Sequence, residues 1–360
     1  MSQTEPESEQ IRALLRRTVR DALDSDVQRI EPIAGQLGLR RFLRVWLSEG
    51  RGDSPRSVIA RVDVAEDPAG RPQGLAPEPP LEPVRRFLEE RGLPVPIRYG
   101  GAEGLELLED LGSVSLAQAA ARCDRDERSQ LYAQACDLVP RLQGLTDPGG
   151  AVAAFARPVA AFARRLDASL FEYKAELFVR WSLPERGGPA TVGEEQVVRD
   201  AFARIARIAA SAPALFAHRD LQSHNLFVTS AGRIVMIDLQ GAFLAPPEYD
   251  LVCLLRDSYI ELTDREVREQ IERIRPQLPD APESEVFSHR FDLLTLTRKG
   301  KDHARFVYFA RERGDRRFLR YVPATVRALR SAAARAAQLE PWLMPLADLI
   351  HSLPETPCAQ

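Results

Sequence analysis

The sequence predicts an α+β protein of two lobes, a small β-rich N-lobe followed by a larger helical C-lobe. Three observations carry that expectation. Between residues 28 and 110, short apolar runs alternate with Gly, Pro and turn residues. After Gly112 the apolar positions move to helical spacing and hold it almost to the end. The chain of 360 residues is longer than one ordinary hydrophobic core covers. The domain boundary falls at 110, giving units 1–110 and 111–360.

In chain order, residues 1–8 are polar and acidic and read as frayed. Ile11, Leu14, Leu15, Val19, Ala22 and Leu23 recur at helical spacing and predict an amphipathic first helix. Ile30–Ala34, Gly35–Gly38 and Phe42–Leu47 read as strand, turn and strand; Arg51–Arg56 is a turn and Ser57–Val64 another β-rich run. The Pro- and Gly-rich stretch 68–83 is a loop before a helix at Val84–Arg91. Val95–Tyr99 and Leu105–Leu108 complete the N-lobe as strands. Behind them Leu116–Ala121, Asp126–Leu145, Val152–Trp181 and Glu194–Ser211 predict helices, interrupted by a compact hairpin at 226–238. Tyr249–Leu353 returns to helix, broken at Pro276, Pro279, Pro282 and Pro323. Within it the Ala/Arg-rich Arg327–Ala337 reads as a solvated helix.

Composition excludes several classes. Lys and Arg number 49 against 52 Asp and Glu, a net charge of -3 that gives no global pull toward nucleic acid or a membrane surface. Cys123, Cys136, Cys253 and Cys358 form no CxxC pair and fit reduced thiols better than a disulfide framework. No apolar run approaches the roughly 20 residues a membrane span needs. Glu5, Glu7, Glu9, Arg12, Arg16, Arg17 and Arg20 leave no room for a signal-peptide core. The expectation is a cytoplasmic monomer with no nucleic-acid or membrane partner.

Chemistry concentrates in His218-Arg219-Asp220-Leu221-Gln222-Ser223-His224-Asn225 and the segment that follows. Leu226–Val228 and Ile234–Ile237 are apolar, with turn residues Thr229–Arg233 between them, so pairing brings Asn225 and Asp238 to one end of a ribbon. An amide oxygen and a carboxylate are hard donors that suit Mg²⁺. Asp220, five residues before Asn225, lies on the entering loop and can face the metal without being consumed by it. Phosphoryl transfer requires a divalent metal on the phosphate oxygens and a carboxylate to orient and deprotonate the attacking hydroxyl. Asp220 fits the base; Asn225 and Asp238 fit the metal ligands. The order matches the H-R-D-x-x-x-x-N pattern followed by an aspartate at the next strand's end. His218 and Asp250 read as braces of this loop, and His224 as a bystander.

These residues resemble the aminoglycoside phosphotransferase and choline kinase superfamily, which has a protein-kinase-like fold. The eighteen-residue step from Asp220 to Asp238, Tyr249-Asp250-Leu251, and the hinge phrase Leu107-Leu108-Glu109-Asp110-Leu111-Gly112 carry the likeness. The resemblance implies ATP and Mg²⁺ as cofactors, with the adenine on the backbone around Glu109, Asp110 and Leu111 and the phosphates on Arg61, a strand arginine. Glu82, Glu89 or Glu90 would orient Arg61, and Gly35, Gly38, Arg40 and Arg41 would form a loop over the phosphates. Within the superfamily the chain is most similar to the anomeric kinases for N-acetylmuramate and N-acetylglucosamine in cell-wall recycling. Arg40–Arg44, His218–Asn225, Ile237–Gln240, Tyr249–Tyr259, the tail from Phe287 through Phe291-Asp292-Leu293 to Arg298 and Lys301, Phe318-Leu319 and Val322-Pro323 carry that likeness. Thr297, Lys299 and Gly300 depart from it, standing where Gln, His and Leu are expected, and Ala175–Trp181 is only loosely similar.

Only eleven residues separate Asp238 from Asp250 and no APE follows, too little for a peptide-docking segment, so the implied acceptor is a small molecule. Residues 286–335 hold thirteen Lys and Arg against Asp292, Asp302, Glu312 and Asp315. That balance suits an anionic sugar better than a polycation, although most such charges usually line solvated helix faces. The alternatives are an aminoglycoside or choline-type phosphotransferase, or a catalytically silent nucleotide-binding regulator. ATP and GTP are not distinguished.

Overall fold

A computed structural model describes residues 5–33, 41–48, 55–63, 79–102, 104–149, 159–280 and 282–356. The chain forms two compact units. The first takes the described residues before 79 together with Val95–Ser113; the second takes 79–94 and the residues from Val114 onward. Gly35, Gly38, Arg40 and Cys358 lie outside the described residues.

The first unit begins with helix α1 (Glu5–Leu23), so the acidic start is helical from Glu5. Strands β1 (Val27–Pro32), β2 (Arg41–Leu47), β3 (Ser57–Val62), β4 (Arg98–Ala102) and β5 (Leu105–Glu109) form an antiparallel sheet in the order β1-β2-β3-β5-β4. The last strand pair starts later than the pattern suggested because Pro94 and Pro96 carry no N–H for a ladder, and β4 begins only at Arg98. Leu15 and Val19 of α1 bury against Val27, Val45, Val58, Ala60 and Leu107. Gly100 of β4 permits this contact: a Cβ there would stand 2.7 Å from the Ala22 methyl carbon.

In the second unit come α2 (Leu81–Glu89), α3 (Leu116–Ala120), α4 (Arg125–Cys136), α5 (Leu138–Gln143), α6 (Ala168–Leu177) and α7 (Val192–Ala210). They are followed by α8 (Tyr249–Leu255), α9 (Asp264–Ile274), α10 (Ser284–Glu312), α11 (Val322–Leu339) and α12 (Met344–His351). Two ribbons sit among them: β6 (Leu215–Ala217) with β9 (Phe243–Ala245), and β7 (Leu226–Val228) with β8 (Ile234–Met236). The boundary at 110 therefore needs correction for α2, which the sequence placed in the N-lobe. Phe87 packs edge-on to Phe162 and beside Phe216, and Met236 N donates to Pro94 O at 2.9 Å, so α2 belongs to the helical core.

The 29-residue α10 is the axis of the second unit, packed against α6, α7, α8 and α11. Its cation run is not a solvated face, because Arg298 and Lys299 are buried in it. Nor is Arg327–Ala337 simply solvated: Leu329, Ala332, Ala333, Ala336 and Ala337 pack inward. Pro323 does not break a helix; it sits in the first turn of α11, where its missing N–H has no partner to lose. The helix expected over 152–181 is, where described, a 3₁₀ turn at Ala160–Ala163, then α6 and a π turn at Phe178–Ser182. Among the described residues, no helix is long and apolar enough to cross a membrane.

Candidate active site

The site in the second unit grows from the loop between β6 and β7. Asp250, in the first turn of α8, accepts from His218 N at 2.7 Å and Arg219 N at 3.0 Å. One carboxylate thus caps two successive amides, and this pins Arg219 in a left-handed backbone, φ 80°. Burial pushes the Asp250 carboxyl upward, against the electrostatic pull of the His218 side chain and the hydrogen bonds from these amides. His218 Nε2 lies 2.9 Å from Ile237 O, and since a carbonyl only accepts, Nε2 carries the proton.

That contact ties the loop to the ribbon, and three hydrogen bonds then fix its residues. Ile237 N donates to Asn225 O at 2.9 Å, extending the β7–β8 ladder so that Asn225 stands opposite Ile237, next to Asp238. Asn225 Nδ2 donates to Asp220 O at 2.8 Å, and Asn225 N to Gln222 O at 2.8 Å. With its amino group turned to the loop, Asn225 keeps its amide oxygen as the acceptor. Asp238 itself is left-handed, φ 64°, with Oδ1 accepting from Gln240 Nε2 at 2.6 Å. An amide oxygen and a carboxylate held at one ribbon end fit a hard divalent cation.

Asp220 is governed by a residue far along the chain. Arg298 of α10, 1% exposed, places NH1 2.8 Å from Asp220 Oδ1, while Arg219 Nε lies 4.0 Å from Oδ2. Burial would raise the Asp220 carboxyl, but Arg298, Lys301 and Arg219 outweigh it and hold the group well below the usual carboxylate range. The carboxylate remains 28% exposed, open to a ligand. The sequence marks Arg298 as a position similar to the anomeric sugar kinases and as a member of a charge run, but neither signal points to its pairing with Asp220. His224 is exposed and stacks on Tyr259 with centroids 3.8 Å apart.

The other candidate residues lie in the first unit. Arg61, buried, pairs through NH1 with Glu106 at 2.7 Å and through NH2 with Asp63 at 2.9 Å. Glu106 is its cross-strand neighbour in the β3–β5 register. The glutamates expected to orient Arg61 are engaged on their own helix: Glu82 and Glu89 with Arg85, Glu90 with Arg86. Glu106 takes that place instead, because a directly opposed strand residue reaches a buried guanidinium without any helix. Asp110 is held through Arg44 at 2.8 and 3.0 Å and Ser57 Oγ at 2.7 Å, and Glu109 accepts from Ile97 N at 3.2 Å. Leu111 is half-buried, and Arg41 opens β2 opposite Val62.

Comparison with known proteins follows the same lines. The chain is 27% identical over 291 residues to an N-acetylmuramate/N-acetylglucosamine kinase of Pseudomonas aeruginosa, covering 77% of this chain and 80% of that one. Among solved structures it resembles the ADP-bound aminoglycoside phosphotransferase APH(2'')-Ib, with TM-score 0.54 and 12% identity over 97% of this chain and 99% of that one. It also resembles the choline kinase LicA from Streptococcus pneumoniae, with TM-score 0.54 and 15% identity over 90% and 99%. These likenesses make the fold α+β and protein-kinase-like. A model of the phosphotransferase enzyme family matches residues 31–283, well over half the length, and the chain belongs to that family.

Proposed function

We propose that the chain is a kinase that uses ATP and Mg²⁺ to phosphorylate a sugar, at the anomeric hydroxyl of N-acetylmuramate or N-acetylglucosamine. The observation that carries the kinase reading is the hydrogen-bonded circuit from Asp220 through Asn225 to Ile237, which gathers Asp220, Asn225 and Asp238 around one ribbon end. The likeness to the Pseudomonas kinase supports the choice of sugar.

Asn225 and Asp238 would hold Mg²⁺, which neutralises charge on the phosphate oxygens when bound. Asp220 receives the acceptor hydroxyl. The transition state of phosphoryl transfer is loose, so the attacking oxygen needs orientation more than early deprotonation. A carboxylate kept ionised by Arg298 is a weak base but a constant hydrogen-bond acceptor, which suits that order of events. Asp250 and His218 hold the loop still while this happens. On the same reading, the nucleotide base uses the backbone of Glu109, Asp110 and Leu111, and its phosphates use Arg61 and Arg41.

A coupled ATPase assay with both sugars tests the reading, with the phosphate position read by phosphorus NMR. Asp220→Asn should lower kcat by roughly 10²-fold or more while ATP affinity stays close to that of the parent. Near-normal turnover in that variant rejects the role.

A further inference from the structure

The acceptor side of Asp220 carries more cationic side chains than its carboxylates can match. On α10, Asp302 is shared by Lys299 at 2.6 Å, Lys301 at 3.4 Å and Arg298 at 3.6 Å. Asp220 is shared by Arg298 and Arg219. At ion-pair distance four cations therefore divide two carboxylates. Of the neighbouring carboxylates, Asp250 is engaged with the His218 and Arg219 amides, and Asp257 with Ser223 and the charge of Lys299.

Behind this group lies Lys174 of α6, 4% exposed. Among the described residues its Nζ has no carboxylate at ion-pair distance. Its contacts are Tyr249 Oη at 3.5 Å and the ring faces of Phe171 and Tyr249, 5.0 and 5.1 Å to their centroids. Burial, then Lys301 and Arg298, push its amine well below the usual range. Lys301 is lowered to about 8, by burial first and Arg298 next. Unmatched buried charge of one sign costs the fold stability. An anion arriving beside Lys301 reverses that cost.

Lys301 is the member placed to meet one. Its side chain is 13% exposed, and its charge acts on Asp220, which is 28% exposed and 4.0 Å from Arg219. It stands three residues beyond Arg298, a rise of about 4.5 Å along α10 from the guanidinium that fixes Asp220. We infer that Lys301, backed by Lys174 and flanked by Arg219, is a carboxylate subsite, and that the enzyme prefers an acidic sugar acceptor to a neutral one. The inference rests on the sugar-kinase reading and deepens it. In N-acetylmuramate a lactyl carboxylate hangs from C3, two ring carbons from the anomeric carbon, a separation that suits one helical turn. N-acetylglucosamine has no such group.

The test compares three acceptors on the full chain: N-acetylmuramate, the same sugar with its carboxylate converted to the amide, and N-acetylglucosamine. The wild type should show kcat/KM for the acid roughly tenfold or more above the amide, expressed in KM, as expected for one charge-assisted contact. In Lys301→Met that ratio should fall toward one, and Lys301→Arg should restore it. The wild-type comparison stands even if a variant fails to fold. A wild-type ratio near one, with N-acetylglucosamine still phosphorylated, overturns the subsite and leaves the kinase reading intact. An equal kcat loss on acid and amide in Lys301→Met assigns Lys301 to the phosphoryl group and also overturns it. Phosphorylation of none of the three sugars by ATP-binding protein overturns the sugar-kinase reading, and the subsite falls with it.

Discussion

Arg298 carries its charge into a helix packed on four others, and the carboxylates of Asp220 and Asp302 make that tolerable. Removing one partner of a buried pair costs more than the pair contributes, because the survivor stays desolvated. Arg298→Met should lower unfolding free energy by about 3 kcal/mol, a value tempered by the partial exposure of Asp220 and the retained Lys299–Asp302 contact. Denaturant titration measures it. The double variant with Asp220→Asn should cost less than the sum of the singles; strict additivity would mean the two groups do not interact. Two residues on, Gly300 tests packing. Alanine there gains about 1 kcal/mol in helix propensity. Its Cβ would stand 2.9 Å from Phe178 Cδ2 and 3.4 Å from Phe202 Cζ, both rings buried. Overpacking costs about 1–3 kcal/mol, so Gly300→Ala should lower the thermal midpoint, and Phe178→Leu should recover part of the loss.

The π turn Phe178–Ser182 meets α10 through one polar contact, Ser182 Oγ to His303 Nδ1 at 2.9 Å. His303 is fully buried, its Nε2 has no hydrogen-bond partner among the described residues, and burial lowers its pKa to about 4. The unfolded imidazole titrates near 6.5, so between those values the unfolded chain binds a proton that the folded one refuses. Stability should therefore fall as pH drops from about 6.5 to about 4, by a contribution on the order of 3 kcal/mol. His303→Gln removes this contribution and leaves every other titration in place. Its ΔG–pH curve should be flatter than the wild type's in that window, and parallel curves would refute the assignment. None of this was legible in the sequence, and the reason is physical. Ion pairs and hydrogen bonds let Arg298, Lys299, Asp302 and His303 occupy interior positions, so α10 loses the polar–apolar period that marks a helix face. β6 and β9, three residues each, are too short for any alternation to register. The β7–β8 ribbon was legible because Thr229–Arg233 carries its own turn chemistry, with Gly232 at φ 75°.

At the scale of the whole chain, local motifs were readable and distant partnerships were not. Asp220, Asn225 and Asp238 fall within one short segment whose spacing follows from a hairpin, whereas the Asp220–Arg298 contact depends on how α10 packs. The net charge of -3 likewise conceals a local excess of cations beside Asp220, because charge balance over a chain says nothing about charge beside one carboxylate. This bears on what the family membership leaves open, since a shared fold hosts acceptors of opposite charge. A polycationic aminoglycoside or a choline brought to Asp220 would meet Arg219 and Lys301, with the charge of buried Arg298 behind them. One like-charge pair at about 4 Å costs roughly 4 kcal/mol at an effective dielectric of 20. Asp220 returns part of that to a cation, but it is already divided between two guanidinium groups. The full cost of one such pair corresponds to a factor on the order of 10³ in kcat/KM, and the share that Asp220 returns brings this toward 10². Kanamycin should accordingly be phosphorylated about a hundredfold or more less efficiently than N-acetylmuramate. A host expressing the chain should grow on kanamycin no better than one carrying the empty vector. Comparable turnover of kanamycin and the sugar would mean that Arg219 and Lys301 turn away from the acceptor, and the anionic preference argued from them would be lost.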